Sequence, residues 1–157
     1  MTTKRVLRGC PMFEHLNAVE LEAVVSIAEA REYEAGATIF NQKDAAEQLF
    51  VVEKGKVALQ MQLQLPPPQV SKKITVDIVN SGEVLGWSVL VPPYRYTLTA
   101  VCLEPTRVVA TNGIKLRSLI QNNQRVGYEV LSQIIKVVAS RLDETCHVLV
   151  SERSLSA

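Results

Sequence analysis

The stretch that most restricts the fold runs from Ser81 to Val101 and reads SGEVLGWSVLVPPYRYTLTAV. Two glycines, Gly82 and Gly86, punctuate its first half, a short apolar turn follows from Trp87 to Val91, and Pro92-Pro93 end it. From Tyr96 the chain leaves as an alternating β run. A glycine ahead of a short helical turn leaves backbone N–H groups open and lets a ligand come close to the main chain. This is the layout of a small anion-binding cassette held between strands.

The flanks specify what carries it. Asn17 followed by Glu20 has the spacing of a helix N-terminal capping pair. Leu21, Val24, Val25 and Ala28 then recur at helical spacing, which predicts an amphipathic helix over about residues 18–30. From Glu32 the pattern becomes that of strands. Thr38-Ile39-Phe40, Gln48 to Glu53 and Lys56 to Leu63 precede the cassette, with a turn at Lys54-Gly55, and Ile74 to Val79 leads into it. Thr97 to Leu103 and Thr106 to Ala110 follow, turned at Glu104-Pro105. Leu65 to Lys72 carries three prolines, which remove three ladder donors, so it reads as a long hairpin loop. Asn112-Gly113 ends the β region, Lys115 to Gln121 reads as a short helix, and Gln124 to about Ser151 as a long one. One helix, about eight short strands and two helices, with turn residues at regular intervals, suggest an antiparallel roll.

The cassette and its flanks resemble the cyclic-nucleotide-binding domain family. In that family a Gly-acidic pair leads to a Phe-Gly-Glu triplet, a short helix, and an arginine followed by small residues. Gly82-Glu83 fits the opening pair, Leu85-Gly86-Trp87 falls where Phe-Gly-Glu would be, and the arginine position falls on Thr97. Tyr33, Gly36, Ile39-Phe40, Asp44, Leu49-Phe50, Gly55 and Val57 also sit at the family's offsets, whereas Lys43 stands where a glycine commonly precedes the Asp. The resemblance spans roughly Phe13 to Leu149. It implies a mainly β fold with flanking α, an antiparallel, jelly-roll-like β-roll with an N-terminal helix and a long C-terminal helix. It places ligand contacts at Val84, Leu85, Gly86, Trp87 and Ser88 and at Arg95, Tyr96, Thr97 and Leu98.

The same resemblance marks two replacements. The family's glutamate accepts from the ribose hydroxyl and its arginine clamps the cyclic phosphate; here Trp87 and Thr97 occupy those positions. The indole offers no acceptor. Trp87 either stacks on a flat ligand or plugs the pocket as a core residue. Arg95, two residues before Thr97 on the same side of an extended chain, either swings into the phosphate site or is a solvated loop residue. The ligand is then a cyclic nucleotide or another small anion, and no cofactor is assigned with certainty. Three functions remain open: a ligand-sensing regulatory module with weak or no cyclic AMP binding, a ligand-free dimerising scaffold, and a true cyclic nucleotide binder using Arg95.

Composition narrows the classes. A net charge of +1 over 157 residues calls for neither nucleic acid nor a membrane surface. Lys4, Arg5 and Arg8 and the Lys72-Lys73 pair form two small separate groups. Cys10, Cys102 and Cys146 match no metal or disulfide spacing, and His15 and His147 are isolated, so no metal site is expected and a reducing cytoplasm is. No run approaches the roughly 18–20 apolar residues of a membrane-crossing helix. The expected product is a soluble cytoplasmic protein, not a channel member of the family unless it is a fragment. No catalytic constellation of residues is present, so no enzyme is expected.

The last helix carries a further expectation. Leu131, Ile135, Val138, Leu142 and Leu149 follow the spacing of an a/d seam, and Val130, Ile134 and Val137 make a neighbouring stripe. One stripe packs on the roll, and the seam pairs with its twin in a homodimer, with a separate output protein as a second candidate partner. The chain stops soon after, with no length for a winged-helix DNA-binding domain. The expected divisions are an N-terminal arm over 1–12, a domain over 13–151 (roll about 32–111, helices about 115–151) and a tail over 152–157.

Overall fold

The computed structural model describes residues 2–63, 66 and 72–156. Most of the proline-rich loop from Leu65 to Lys72 lies outside the described residues. Two helices lead, α1 (Thr2–Gly9) and α2 (Ala18–Val25), followed by eight strands and two further helices. The strands are β1 (Ala28–Tyr33), β2 (Thr38–Phe40), β3 (Gln48–Lys54), β4 (Val57–Leu63), β5 (Lys72–Val79), β6 (Val84–Leu85), β7 (Thr99–Cys102) and β8 (Thr106–Asn112). A 3-10 turn, Trp87–Leu90, lies between β6 and β7, and α3 (Gly113–Asn122) and α4 (Gln124–Ser156) close the chain.

The strands form two four-stranded antiparallel sheets, ordered β1-β8-β3-β6 and β2-β7-β4-β5. This is the expected β-roll with flanking helices. Strands β3 and β8 carry unbroken buried runs, Leu49 to Val52 and Val108 to Thr111, instead of an in–out alternation. One face of that sheet looks into the roll, and α1 packs against β1, β3 and β8. A strand buried on both faces reads as a continuous apolar run.

The N-terminus departs from the expected arm. Residues 2–9 form α1, and Leu7, Cys10, Met12 and Phe13 join the main core. Cys10 is buried, which pushes its thiol up to about 11. The predicted capping pair is present: Asn17 Oδ1 accepts from the Glu20 N–H, and Glu20 Oε1 accepts from the Asn17 N–H, both at 2.8 Å. That helix ends at Val25, short of the expected residue 30. Ala28 continues its helical spacing but is taken by β1, where it pairs with Thr111 of β8. Local periodicity lost to a ladder made with residues far along the chain.

Helix α3 starts where Asn112 Oδ1 accepts from the Lys115 N–H at 2.9 Å. Helix α4 then runs back along the roll over β5 and continues through Ser156, past the expected end near Ser151. Its buried stripe, Val126, Val130 and Ile134, joins the main core.

Candidate functional site

Strand β6 delivers the cassette. Its two residues pair with Phe50 and Val51 of β3, which buries Val84 and Leu85. Gly86 follows with φ +85, and a Cβ built there would lie 2.9 Å from the Gln48 carbonyl oxygen and 3.3 Å from the Tyr96 ring. Both the left-handed backbone and the close approach demand glycine at this point. The 3-10 turn then starts at Trp87, with Ser88 and Val89 buried beneath it.

The returning limb is anchored by Tyr96. Its hydroxyl donates to the Gln48 carbonyl at 2.7 Å and accepts from the Gln48 N–H at 3.2 Å. Its ring stacks on Phe40 with centroids 3.7 Å apart. Burial pushes the Tyr96 phenol above its usual range. Backbone bonds from the Lys43 N–H to the Tyr96 carbonyl and from the Tyr96 N–H to the Asp44 carbonyl tie this limb to the β2–β3 connection. Lys43 adopts φ +76 there, a left-handed conformation at the position where the family resemblance expects glycine.

Between the two limbs lies a small cavity of about 10 Å³, lined by Phe40, Leu59, Gly86, Trp87, Ser88, Tyr96, Thr97, Leu98 and Arg141. Six of the nine expected contact residues therefore meet there. Val84 and Leu85 stand behind it in β6. Arg95 does not line it: the side chain is exposed and its Nη1 donates to the Lys43 carbonyl at 3.0 Å. Trp87 is half-buried and packs against the core, and Thr97 is exposed at the rim. A volume of this size accommodates about one water molecule.

The cation at this cavity comes from an element that cassette spacing does not reach. Arg141 of α4 is 8% exposed. Its Nη2 donates to the Val84 carbonyl at 2.8 Å and its Nε to Asp77 Oδ2 at 3.3 Å. Burial pulls its pKa below the ordinary arginine range, and the Asp77 and Glu83 charges oppose that shift. Sequence reading missed it, although a signal existed. The stripe Val130, Ile134, Val137 reaches Arg141 at the next i+4 step, so a guanidinium stands where another apolar residue is due.

The residues of the expected α4 seam divide. Leu131, Ile135, Leu142 and Leu149 are exposed, with Ile135 at 68% and Leu142 at 64%, while Val138 packs against the core. Among the described residues no helix is long and apolar enough to cross a membrane.

Residues 30–123 match the model of the cyclic nucleotide-binding domain. The cyclic AMP receptor protein of Thermus thermophilus is 29% identical over 104 residues, 66% of this chain and 46% of that protein. A Rhodopseudomonas palustris protein described as a potassium channel is 22% identical over 126 residues, 80% of this chain and 29% of that one. The chain thus spans less than half the length of these curated relatives. Among solved structures, one described as a cyclic nucleotide-binding protein from Geobacter metallireducens superposes with a TM-score of 0.75 at 30% identity, covering 90% of this chain and 99% of that one. A regulatory subunit of a cyclic-AMP-independent protein kinase A from Trypanosoma brucei, 15% identical, superposes at 0.68 over 85% of this chain and 44% of that one; it is a triple mutant bound to cyclic AMP, one change being threonine to arginine. With the matched family model covering more than half of its residues and the roll, cassette and C-terminal helix in place, the chain belongs to the cyclic nucleotide-binding domain family.

Proposed function

We propose that this chain is a non-catalytic regulatory module that takes a small ligand between its roll and α4, signals through movement of α4, and binds cyclic AMP weakly or not at all. One observation carries this reading: the cassette cavity is about 10 Å³, and the one cation lining it among the described residues, Arg141, already donates to Val84 and Asp77. A cyclic phosphate keeps a full negative charge, and burying that charge without a free cation is costly. Losing one partner of such a buried pair costs roughly 2–5 kcal/mol, about thirty- to several-thousand-fold in affinity. Thr97 offers one neutral hydroxyl in place of a bidentate guanidinium, and Trp87 offers the sugar no acceptor. Support also comes from the trypanosome regulatory subunit: it is described as cyclic-AMP-independent, and the form seen with cyclic AMP has a threonine changed to arginine. Titration calorimetry of the unmodified chain with cyclic AMP and cyclic GMP tests the reading. Dissociation constants weaker than about 100 µM support it, and low-micromolar values refute it.

The output runs through α4, whose exposed Leu131, Ile135, Leu142 and Leu149 support a homodimer or a separate output protein as the receiver. Changing Ile135 and Leu142 together to Glu converts the dimer to monomer in sedimentation velocity; an unmodified chain already monomeric at micromolar concentration removes this part of the proposal. A second reading, a ligand-free dimerising scaffold, draws on the same small cavity and exposed seam. A small molecule retained in native mass spectra of cell-purified protein favours sensing over scaffolding.

A further inference from the structure

A second and larger space lies along α4 and shares Arg141 with the cassette cavity. This cleft, of about 310 Å³, is bounded by the segment after α1, by the Gly82–Val84 approach to the cassette, and by α4. Its volume is at the lower end of small-molecule sites, which run from about 300 to 1,000 Å³. Its floor is apolar, with Met12 and Val84 buried and Val137 half-buried.

The polar groups around this floor are not balanced in what they leave free. Asp77 accepts from the Ile78 N–H through Oδ1 and from Arg141 through Oδ2. Glu83 is turned into its own turn, its Oε1 accepting from the Asn80 N–H at 2.8 Å. The donors are less committed. Lys136, exposed at the mouth, has no ion pair or hydrogen bond among the described residues. Arg141, with its side chain 9% exposed, engages Nε and Nη2 and leaves Nη1 without a hydrogen bond among them. An apolar floor beside the uncommitted Lys136 ammonium and one remaining N–H of the Asp77-paired Arg141 fits a molecule with an apolar body and one anionic end.

We propose that this cleft is a binding site for a small amphipathic carboxylate, with the apolar body on Met12, Val84 and Val137 and the carboxylate at Lys136 and Arg141. The site lies beside the cassette cavity and shares Arg141 with it, but its other lining residues are its own, so octanoate binding is tested without any cyclic nucleotide present. With 3.6 residues per turn, Gln133, Lys136 and Ser140 fall on one flank of α4 and Leu131, Ile135 and Leu142 on the other. A partner seated on the seam therefore leaves the cleft open. Because Arg141 walls both spaces, a carboxylate here acts on the contact that ties α4 to the cassette strand.

The test is an amide-resolved NMR titration of the full chain with octanoate below its micelle concentration, beside octanol and cyclic AMP. Saturable octanoate shifts at Met12, Gly82, Val84 and Val137, with Thr97 and Leu98 unmoved, are expected. Octanol binds at least about tenfold more weakly, and Lys136→Ala weakens octanoate by about tenfold, the scale of one charge-assisted hydrogen bond. Ser140→Trp, at an exposed position on the cleft wall, blocks binding while the circular dichroism spectrum stays that of the unmodified chain. The proposal is overturned if octanoate does not saturate, if octanol binds equally well, if Ser140→Trp binds unchanged, or if the shifts fall on Thr97 and Leu98 instead.

Discussion

The two spaces that share Arg141 differ in almost everything else. The cassette cavity has the family's backbone frame, glycine turn and returning strand, yet holds about 10 Å³. The flank cleft takes only the Gly82–Val84 edge of that frame and holds about 310 Å³. Aromatic rings make the difference. Phe40, Tyr96 and Trp87 occupy the cassette side, while small and flexible side chains wall the cleft. A fold therefore keeps a binding frame through backbone geometry, while side-chain volume and charge decide whether the frame has room for a ligand.

The largest expected effect comes from the wall between the two spaces. Asp77→Ala leaves the buried Arg141 guanidinium without its counter-charge, and loss of one partner of a buried pair costs about 3–5 kcal/mol. Arg141→Met removes the more deeply buried of the two charges and leaves the Asp77 carboxylate, 29% exposed, to water, so it is expected to cost less. Urea unfolding of the two variants checks the order, and equal losses would break the account of Arg141 as a paired buried charge. Next is Gly86→Ala, which forces a side chain into a left-handed conformation and against the Gln48 carbonyl. Backbone strain of this kind costs about 1–3 kcal/mol, read in the same unfolding experiment. The smallest effect has the opposite sign. Lys43 at φ +76 holds a conformation that glycine adopts without strain, so Lys43→Gly is expected to raise stability by up to about 1 kcal/mol.

How legible each region was follows from where its determinants lie in the chain. The cassette frame was legible because Gly82, Gly86 and the strands beside them are local in sequence, and a positive φ leaves a glycine behind. The capping pair Asn17 and Glu20 was legible for the same reason. Helix α1 and the end of α2 were not. Their boundaries depend on burial of Leu7 in the main core and on pairing of Ala28 with Thr111, contacts that no local pattern encodes. Arg95 drew attention by its nearness to Thr97, but the β2–β3 connection holds it on the Lys43 carbonyl. Arg141, 54 residues beyond Trp87 in the chain, reaches the same cavity because α4 runs back over the roll. Proximity in sequence pointed to one arginine, and topology delivered another.

The central proposal is that the cassette keeps its backbone frame but lacks both the room and the charged side chains for a cyclic nucleotide. The most direct measurement is calorimetric titration of cyclic AMP into the unmodified chain and into a double variant, Trp87→Glu with Thr97→Arg. The substitutions return a sugar acceptor and a phosphate clamp, and replacing the indole with a carboxylate side chain also frees volume in the cavity. The account predicts no saturable heat for the unmodified chain at about 100 µM and a gain of at least about thirtyfold in affinity for the double variant. Low-micromolar binding by the unmodified chain, or a correctly folded double variant that still fails to bind, would contradict it.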